Sequence, residues 1–221
     1  MTGTQLDVVL ASVVTGLIVI ALGLFVRART SVNNPGATQV LWEWTLATAD
    51  GLNRGGQTPY RRRATAVAVT LFWFILVANW LPLLPGSPLV APTSNINLTL
   101  ALGLVVIALV HVTAIQARGL RGYLRHYLSP VWLAPVRLIE ELLKPLTLAL
   151  RLFGVIFASA LMAMLLAELL PAPVAVLPHA VWNLFDVLMG VIQAFIFALL
   201  TLLYFDAALP ATSTAKEHIN E

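Results

Sequence analysis

Between Lys144 and Glu168 the only charged side chain is Arg151, set in the apolar run "KPLTLALRLFGVIFASALMAMLL" (residues 144–166). An arginine near the centre of a membrane helix costs about 2.5–3.5 kcal/mol on insertion scales. Unlike lysine, it cannot escape that cost by losing its proton. A cation fixed at that depth can attract an anionic partner or stop a mobile cation from passing. Ends of the helix are too distant for the side chain to reach water easily, so a purely structural role is not expected.

Other polar groups share its spacing. Glu140, Lys144, Thr147 and Arg151 are separated by 4, 3 and 4 residues, which places them on one helical face. That face continues through Gly154, Ala158 and Met162, small or flexible residues that let another helix approach. His179, Asn183, Asp186, Gly190 and Gln193 follow at intervals of 4, 3, 4 and 3, and the face continues through Phe197, Thr201 and Tyr204. If the two segments fold back near Pro171 and Pro173, Arg151 lies opposite Gln193, and Asp186 lies across from Ala158 and Ala160. Glu140, Glu141 and Lys144 then sit toward one end, and Glu168, His179, Asn183 and Asp186 toward the other. Ionisable groups inside a membrane commonly mark ion pathways, and the two sets read as half-paths separated by a fixed cation.

Plainer readings stand beside this one. Glu140–Lys144 and Arg137–Glu141 are also ordinary intrahelical pairs, His179 follows a proline at a turn, and Glu168 lies near a helix end where it reaches water. Asp206, near the other end, reads as solvated. His111 and His126 are read as having no role in conduction.

The elements that must position these groups follow from apolar runs. Of 221 residues, 59% are hydrophobic and 10% charged, with a mean hydropathy of +0.89. Soluble domains carry about 25% charged residues, so the chain reads as an integral membrane protein. Residues 6–26, 64–84 and 96–115 are each long enough to cross a hydrocarbon core of about 30 Å. Residues 35–54, with Val40, Leu41 and Trp44 on one face and Glu43 and Asp50 elsewhere, predict an amphipathic interfacial helix. Residues 132–169 are helix-compatible for roughly 54 Å, too long for one upright crossing, and Pro145 supplies a bend. The stretch "LPAPVAVLP" (170–178) predicts a proline-punctuated turn before a last long segment over 179–208.

Arginines at 27, 29, 54, 61–63, 118, 121 and 125 fall between the apolar runs. The positive-inside rule then places the amino terminus outside and these connections in the cytoplasm. Nucleic-acid binding by "YRRRA" is disfavoured, because no interleaved aromatics or polar surface accompany it. The leading "MTGTQLD" lacks a positive n-region and so does not read as a signal peptide; without a basic, Ser-rich amphipathic leader, a bacterial plasma membrane is favoured over an organelle. There are no cysteines, which excludes disulfides and thiolate chemistry. No glycine-rich phosphate loop of Walker type is present, and no cofactor or metal site is expected.

"KPLTLALRLFG" followed by "IQAFIFALLTLLY" resembles the signature pair of the a subunit of F-type ATP synthases, and "NWLPLLPG" and "PTSNINLTLAL" are similar to the same family. The resemblance covers nearly the whole chain and is weakest over the first 60 residues. It implies a stationary membrane subunit beside a rotating ring of c subunits, with peripheral-stalk b subunits and, indirectly, the catalytic F1 sector as partners. Arg151 matches the family's essential arginine and Gln193 the glutamine that helps hold it. Departures fall at Val155, where relatives often have asparagine, at Ala160, where many carry glutamate or histidine, and at Asp186, which replaces the histidine or glutamate of many relatives. The outer path is therefore expected to be rebuilt from Asp186 with Asn183, His179 or Glu168, and the inner one from Glu140 and Thr147.

The expected architecture is all-α, with about five spanning helices, one interfacial helix, and the last two elements in a long tilted hairpin. Its divisions are residues 1–30, a first span; 31–63, an interfacial segment; 64–130, two spans and a basic loop; 131–209, the ion-channel hairpin facing the ring; and 210–221, a cytoplasmic tail. The expected function is to couple proton or sodium flow to ring rotation without itself catalysing a reaction. The competing class is a self-contained secondary transporter, and a third is a structural scaffold. No internal repeat supports the transporter, and the scaffold leaves Arg151 without a purpose.

Overall fold

Hydrocarbon offers no hydrogen bonds to a backbone, so every N–H and C=O within it must be satisfied inside the chain, which selects helices. The computed structural model describes residues 2–30, 36–52, 58–83, 92–128 and 134–210. These contain α1 (Thr2–Ala28), α2 (Ala37–Leu52), α3 (Pro59–Trp80), α4 (Ile96–Leu128), α5 (Ala134–Leu169) and α6 (Ala172–Ala208), with short 3₁₀ turns at Leu81–Leu83 and Pro92–Ser94. Five segments are long and apolar enough to span a bilayer: Asp7–Ala28, Pro59–Leu83, Ile96–Arg125, Pro135–Leu169 and Val174–Ala208. The protein is an all-α integral membrane protein.

Several boundaries differ from the sequence-based expectation. The predicted turn over 170–178 contracts to Leu170 and Pro171, because α6 already begins at Ala172 and carries Pro178 within it. Pro173, in the first turn, costs no hydrogen bond, since that N–H has no intrahelical partner anyway, whereas Pro178 inside the helix forgoes one. The third span was expected to end near residue 115 in a loop, yet α4 continues to Leu128 across a break at Gly119 (φ 72°, ψ 160°). Only glycine occupies that left-handed region without steric cost. Trp132, at the expected start of the fourth spanning element, and the 211–221 part of the expected tail lie outside the described residues.

The basic residues at this end also hold the bundle together. Arg118, next to the break, donates from Nε to the carbonyl of Ala208 (2.8 Å) and from Nη2 to that of Leu209 (2.7 Å). It thereby caps the carboxyl end of α6, where carbonyls lack intrahelical donors and a cation is favoured. Arg61, with a side chain only 5% exposed, pairs through Nη1 with Asp206 Oδ1 at 2.6 Å. Asp206 is therefore an ion-pair partner and not merely solvated. Arg63 Nη1 donates to Gln116 Oε1 (2.9 Å), and Thr65 Oγ1 donates to Asp50 Oδ1 (2.8 Å).

Above these polar ties the core is apolar. One cluster joins Ala64, Ala68 and Val69 of α3 to Val110 of α4 and to Leu202 and Phe205 of α6; a second joins Ile75, Val106, Leu148, Leu152 and Phe197. α6 packs chiefly on α3 and α5 chiefly on α4, while the direct α5–α6 contact is smaller. The last two helices are thus successive and antiparallel, but each leans on an earlier helix. On α2 the stripe Val40, Leu41 and Trp44 faces outward, whereas Gln39, Thr45 and Ala49 face the bundle, as suits a helix whose apolar side meets lipid. Trp42 stacks on Trp73 of α3 at 5.6 Å.

Close helix approaches within the chain occur at Gly103 and Gly190, while Gly154, expected to permit one, faces open space. A Cβ on Gly103 would lie 2.8 Å from the carbonyl oxygen of Pro145, a backbone atom that cannot rotate away. Gly103→Ala is expected to destabilise the protein by about 1–3 kcal/mol through overpacking. Gly16→Ala, in open space, should be neutral or stabilising by about 0.5–1 kcal/mol. Thermal unfolding of the detergent-purified complex separates the two, and equal melting temperatures would contradict the close α4–α5 contact.

Candidate functional site

The face of α5 that carries Arg151 is set by what lies behind it. Leu148, Ala149 and Leu152 are buried, each at most 1% exposed, and these inward residues turn Arg151 and Thr147 to the open side of the helix. The Arg151 guanidinium takes part in none of the ion pairs found among the described residues. Thr147 Oγ1 lies 2.9 Å from the carbonyls of both Leu143 and Lys144, bonding back into its own helix. Glu140 is exposed. Its expected partner, Lys144, instead bonds Glu141, with Nζ 2.6 Å from Oε1. At i,i+3 this pair uses the turn as well as i,i+4 would.

On α6, Gln193 is 3% exposed, and its Nε2 has no hydrogen-bond partner among the described residues. Its neighbour Ala194 shares an apolar cluster with Leu152, so Arg151 and Gln193 lie near one level of the helix pair. No hydrogen bond joins them. A buried amide N–H without a partner is uncommon and costs about 1–3 kcal/mol.

Toward the other end, Asp186 Oδ2 accepts a hydrogen bond from Ser159 Oγ at 2.5 Å. Asp186 thus meets the residue between Ala158 and Ala160, a serine the sequence reading passed over. Helical serines commonly bond back to the carbonyl four residues earlier, which disguises one that reaches across. Ser159 is nevertheless the only hydroxyl between Arg151 and Pro171, and that was the available signal. The register of α6 beside it is fixed by Trp80, whose Nε1 donates to the carbonyl of Val187 at 3.1 Å. Asn79 Oδ1 accepts from Thr93 Oγ1 at 3.3 Å, tying the end of α3 to the 3₁₀ turn at Pro92–Ser94.

The remaining predicted residues are not gathered into this contact. His179 Nδ1 lies 3.1 Å from the Ala175 carbonyl of its own helix. Asn183 and Glu168 are exposed on α6 and α5 respectively. Among the described residues, no group of three or more His, Cys, Asp or Glu side chains is placed to hold a metal. The structure therefore joins Asp186 to Ser159, sets Arg151 and Gln193 near one level, and leaves Glu140, Thr147, Asn183 and Glu168 facing outward.

A double-mutant cycle tests the polar link. Ser159→Ala and Asp186→Ala are expected to show a coupling energy of about 0.5–3 kcal/mol in thermal unfolding. Strict additivity would mean that the two side chains do not meet.

Residues 9–206 match the family model described as ATP synthase A chain. The chain is 47% identical over 207 residues to ATP synthase subunit a of Acidothermus cellulolyticus, covering 90% of this chain and 75% of that protein. It is 41% identical over 219 residues to ATP synthase subunit a of Mycobacterium bovis, covering 92% and 86% respectively. Against ATP synthase subunit a of Moorella thermoacetica the identity is 37% over 193 residues, with 85% and 84% covered. An all-α membrane bundle with an isolated arginine on its fifth helix, matched over this length, belongs to the ATP synthase A chain family.

Proposed function

We propose that the chain is the stator a subunit of a rotary ATP synthase, offering two ion half-channels that couple transmembrane ion flow to rotation of a c-ring. One observation carries the reading: Arg151 lies on an exposed face of α5 and is in none of the ion pairs described, and the α5 span is the least covered of the five. Among the described side chains of Pro135–Leu169, only Pro145, Leu148, Ala149 and Leu152 are buried within the chain. A helix of that kind needs a surface supplied by another polypeptide.

The magnitudes agree with a moving carboxylate as that partner. Two opposite unit charges 4 Å apart attract by about 4 kcal/mol at an effective dielectric constant near 20. That is enough to offset the roughly 2.5–3.5 kcal/mol of placing the arginine in the membrane. A guanidinium close to a rotor carboxyl favours its ionised form and so promotes ion release. The same fixed charge repels any cation that would cross directly between the half-channels. Gln193 supplies a buried amide to hold the guanidinium. Asp186, Ser159, Asn183, His179 and Glu168 line the outer path, and Glu140 and Thr147 the inner one. The chain itself catalyses no reaction; ATP is made or hydrolysed on the F1 sector, with b subunits bracing the two. It lies in a bacterial plasma membrane with its basic end in the cytoplasm. Each charge crossing 100 mV contributes about 2.3 kcal/mol, so several ions pass for each ATP.

In inverted vesicles carrying the whole complex, Arg151→Ala is expected to reduce ATP-driven acidification to the level seen with an uncoupler, while the catalytic sector still hydrolyses ATP. Undiminished pumping would overturn the assignment and return the chain to the transporter or scaffold classes.

A further inference from the structure

A second set of titratable groups lies on the basic-end side of Arg151, where three helices meet. His111 of α4 places Nε2 3.7 Å from Oε2 of Glu141 on α5. The other oxygen of that carboxylate, Oε1, accepts from Lys144 Nζ at 2.6 Å. The Lys144 ammonium in turn stands 5.3 Å from the ring centre of Tyr204 on α6. Tyr123, beyond the Gly119 break in α4, sets its ring edge-on to the imidazole at 6.0 Å. The Glu141 side chain is 13% exposed and the His111 side chain 29%, so the carboxylate is mostly covered and the imidazole partly open. Lys144 and Glu141 precede Arg151 by 7 and 10 residues, or about 10 and 15 Å along the helix axis.

We propose that His111, with Glu141 beside it, is the proton-exchanging group at the cytoplasmic mouth of the inner half-channel. The inference rests on the rotary reading above. Imidazole is the side chain whose ordinary titration falls near neutral pH, so it can both take and return a proton under working conditions. Lys144 neutralises Glu141 as a pair through Oε1 and leaves Oε2 facing the imidazole. A separation of 3.7 Å is longer than a hydrogen bond and can be bridged by one water or closed by a small ring rotation. During synthesis a proton leaving the rotor carboxyl passes along the Thr147 face to Nε2. The imidazolium forms beside the carboxylate, then gives one proton to cytoplasmic water and returns to neutral imidazole. Pumping runs the same transfers in reverse. The ring packed edge-on to the imidazole is that of Tyr123, and Arg137 lies one turn before Glu141 on α5.

The test uses vesicles bearing the whole membrane complex stripped of its catalytic sector. Passive proton conductance is followed with a pH-sensitive dye while the cytoplasmic-side pH is varied. In native vesicles the conductance should change with the cytoplasmic-side pH. His111→Gln should slow conductance by about tenfold or more and flatten that profile. His111→Ala should be slowed similarly and be restored by millimolar imidazole on the cytoplasmic side. Normal conductance in both variants overturns the proposal, as does slowed conductance with an unchanged pH profile and no imidazole rescue. Should His111→Ala not assemble, His111→Gln and the native profile decide, and a native conductance that does not respond to the cytoplasmic-side pH is itself a refutation. Arg151→Ala in vesicles that retain the catalytic sector separates the two readings. If ATP-driven acidification survives that change, the rotary assignment has failed, whereas its loss beside fully active His111 variants removes only the relay.

Discussion

A charged guanidinium in hydrocarbon has to find an acceptor, and the chain treats its arginines in two ways. Arg61 is buried and meets Asp206 at 2.6 Å, and Arg118 meets the last carbonyls of α6 at 2.7 and 2.8 Å. Both cations are answered inside the chain, and both draw α6 against helices that precede it. Arg151 is placed on the open side of α5 by the leucines behind it and receives no ion-pair partner among the described residues. The Arg61–Asp206 pair contributes fixity, because losing the half-exposed carboxylate would remove an anion that faces a buried guanidinium. The exposed cation does the reverse, leaving a demand for negative charge on the face the chain does not cover. Most of what the fold does can be traced to that contrast.

The core follows from where the fixed contacts fall. With α6 secured to α3 at its basic end by Arg61 and further along by Trp80 and the Gly190 contact, α6 can be long and apolar and still keep one register. α5 is steadied from the other side by α4, where Gly103 admits the backbone of Pro145. The two long helices therefore touch each other lightly. Polar groups placed along that lighter contact, such as Ser159 with Asp186, are not crushed into a dry interface as they would be in a tightly packed hairpin.

The apolar runs made the helices legible in the sequence, because a hydrocarbon solvent leaves the backbone so few alternatives. Spacing by threes and fours likewise placed Arg151 and Gln193 on their faces. Composition hid other features. The basic segment after Ile115 reads as a loop by polarity, yet α4 runs on past Gly119 to Leu128, and Arg118 just before the break caps the end of α6. Asp206 reads as solvated until the fold brings Arg61 to it across 145 residues of sequence. Ser159 was lost between two alanines. His111 lies on α4, away from the two stripes, and its nearness to Glu141 depends on how α4 crosses α5, which periodicity along one helix cannot reveal.

The Arg61–Asp206 pair also bears on how the chain is made. Its partners are separated by 145 residues, and at a synthesis rate of 5–20 residues per second the interval between them is about 7–30 s. For that time α3 lies in the bilayer without the carboxylate that Arg61 meets in the finished chain. The carboxylate then arrives on the last helix, so insertion of the end of the chain completes the packing of its second span. A chain that stops short of Asp206 therefore lacks the Arg61–Asp206 contact, so the last helix to be made is also the one that closes the tie to the second span.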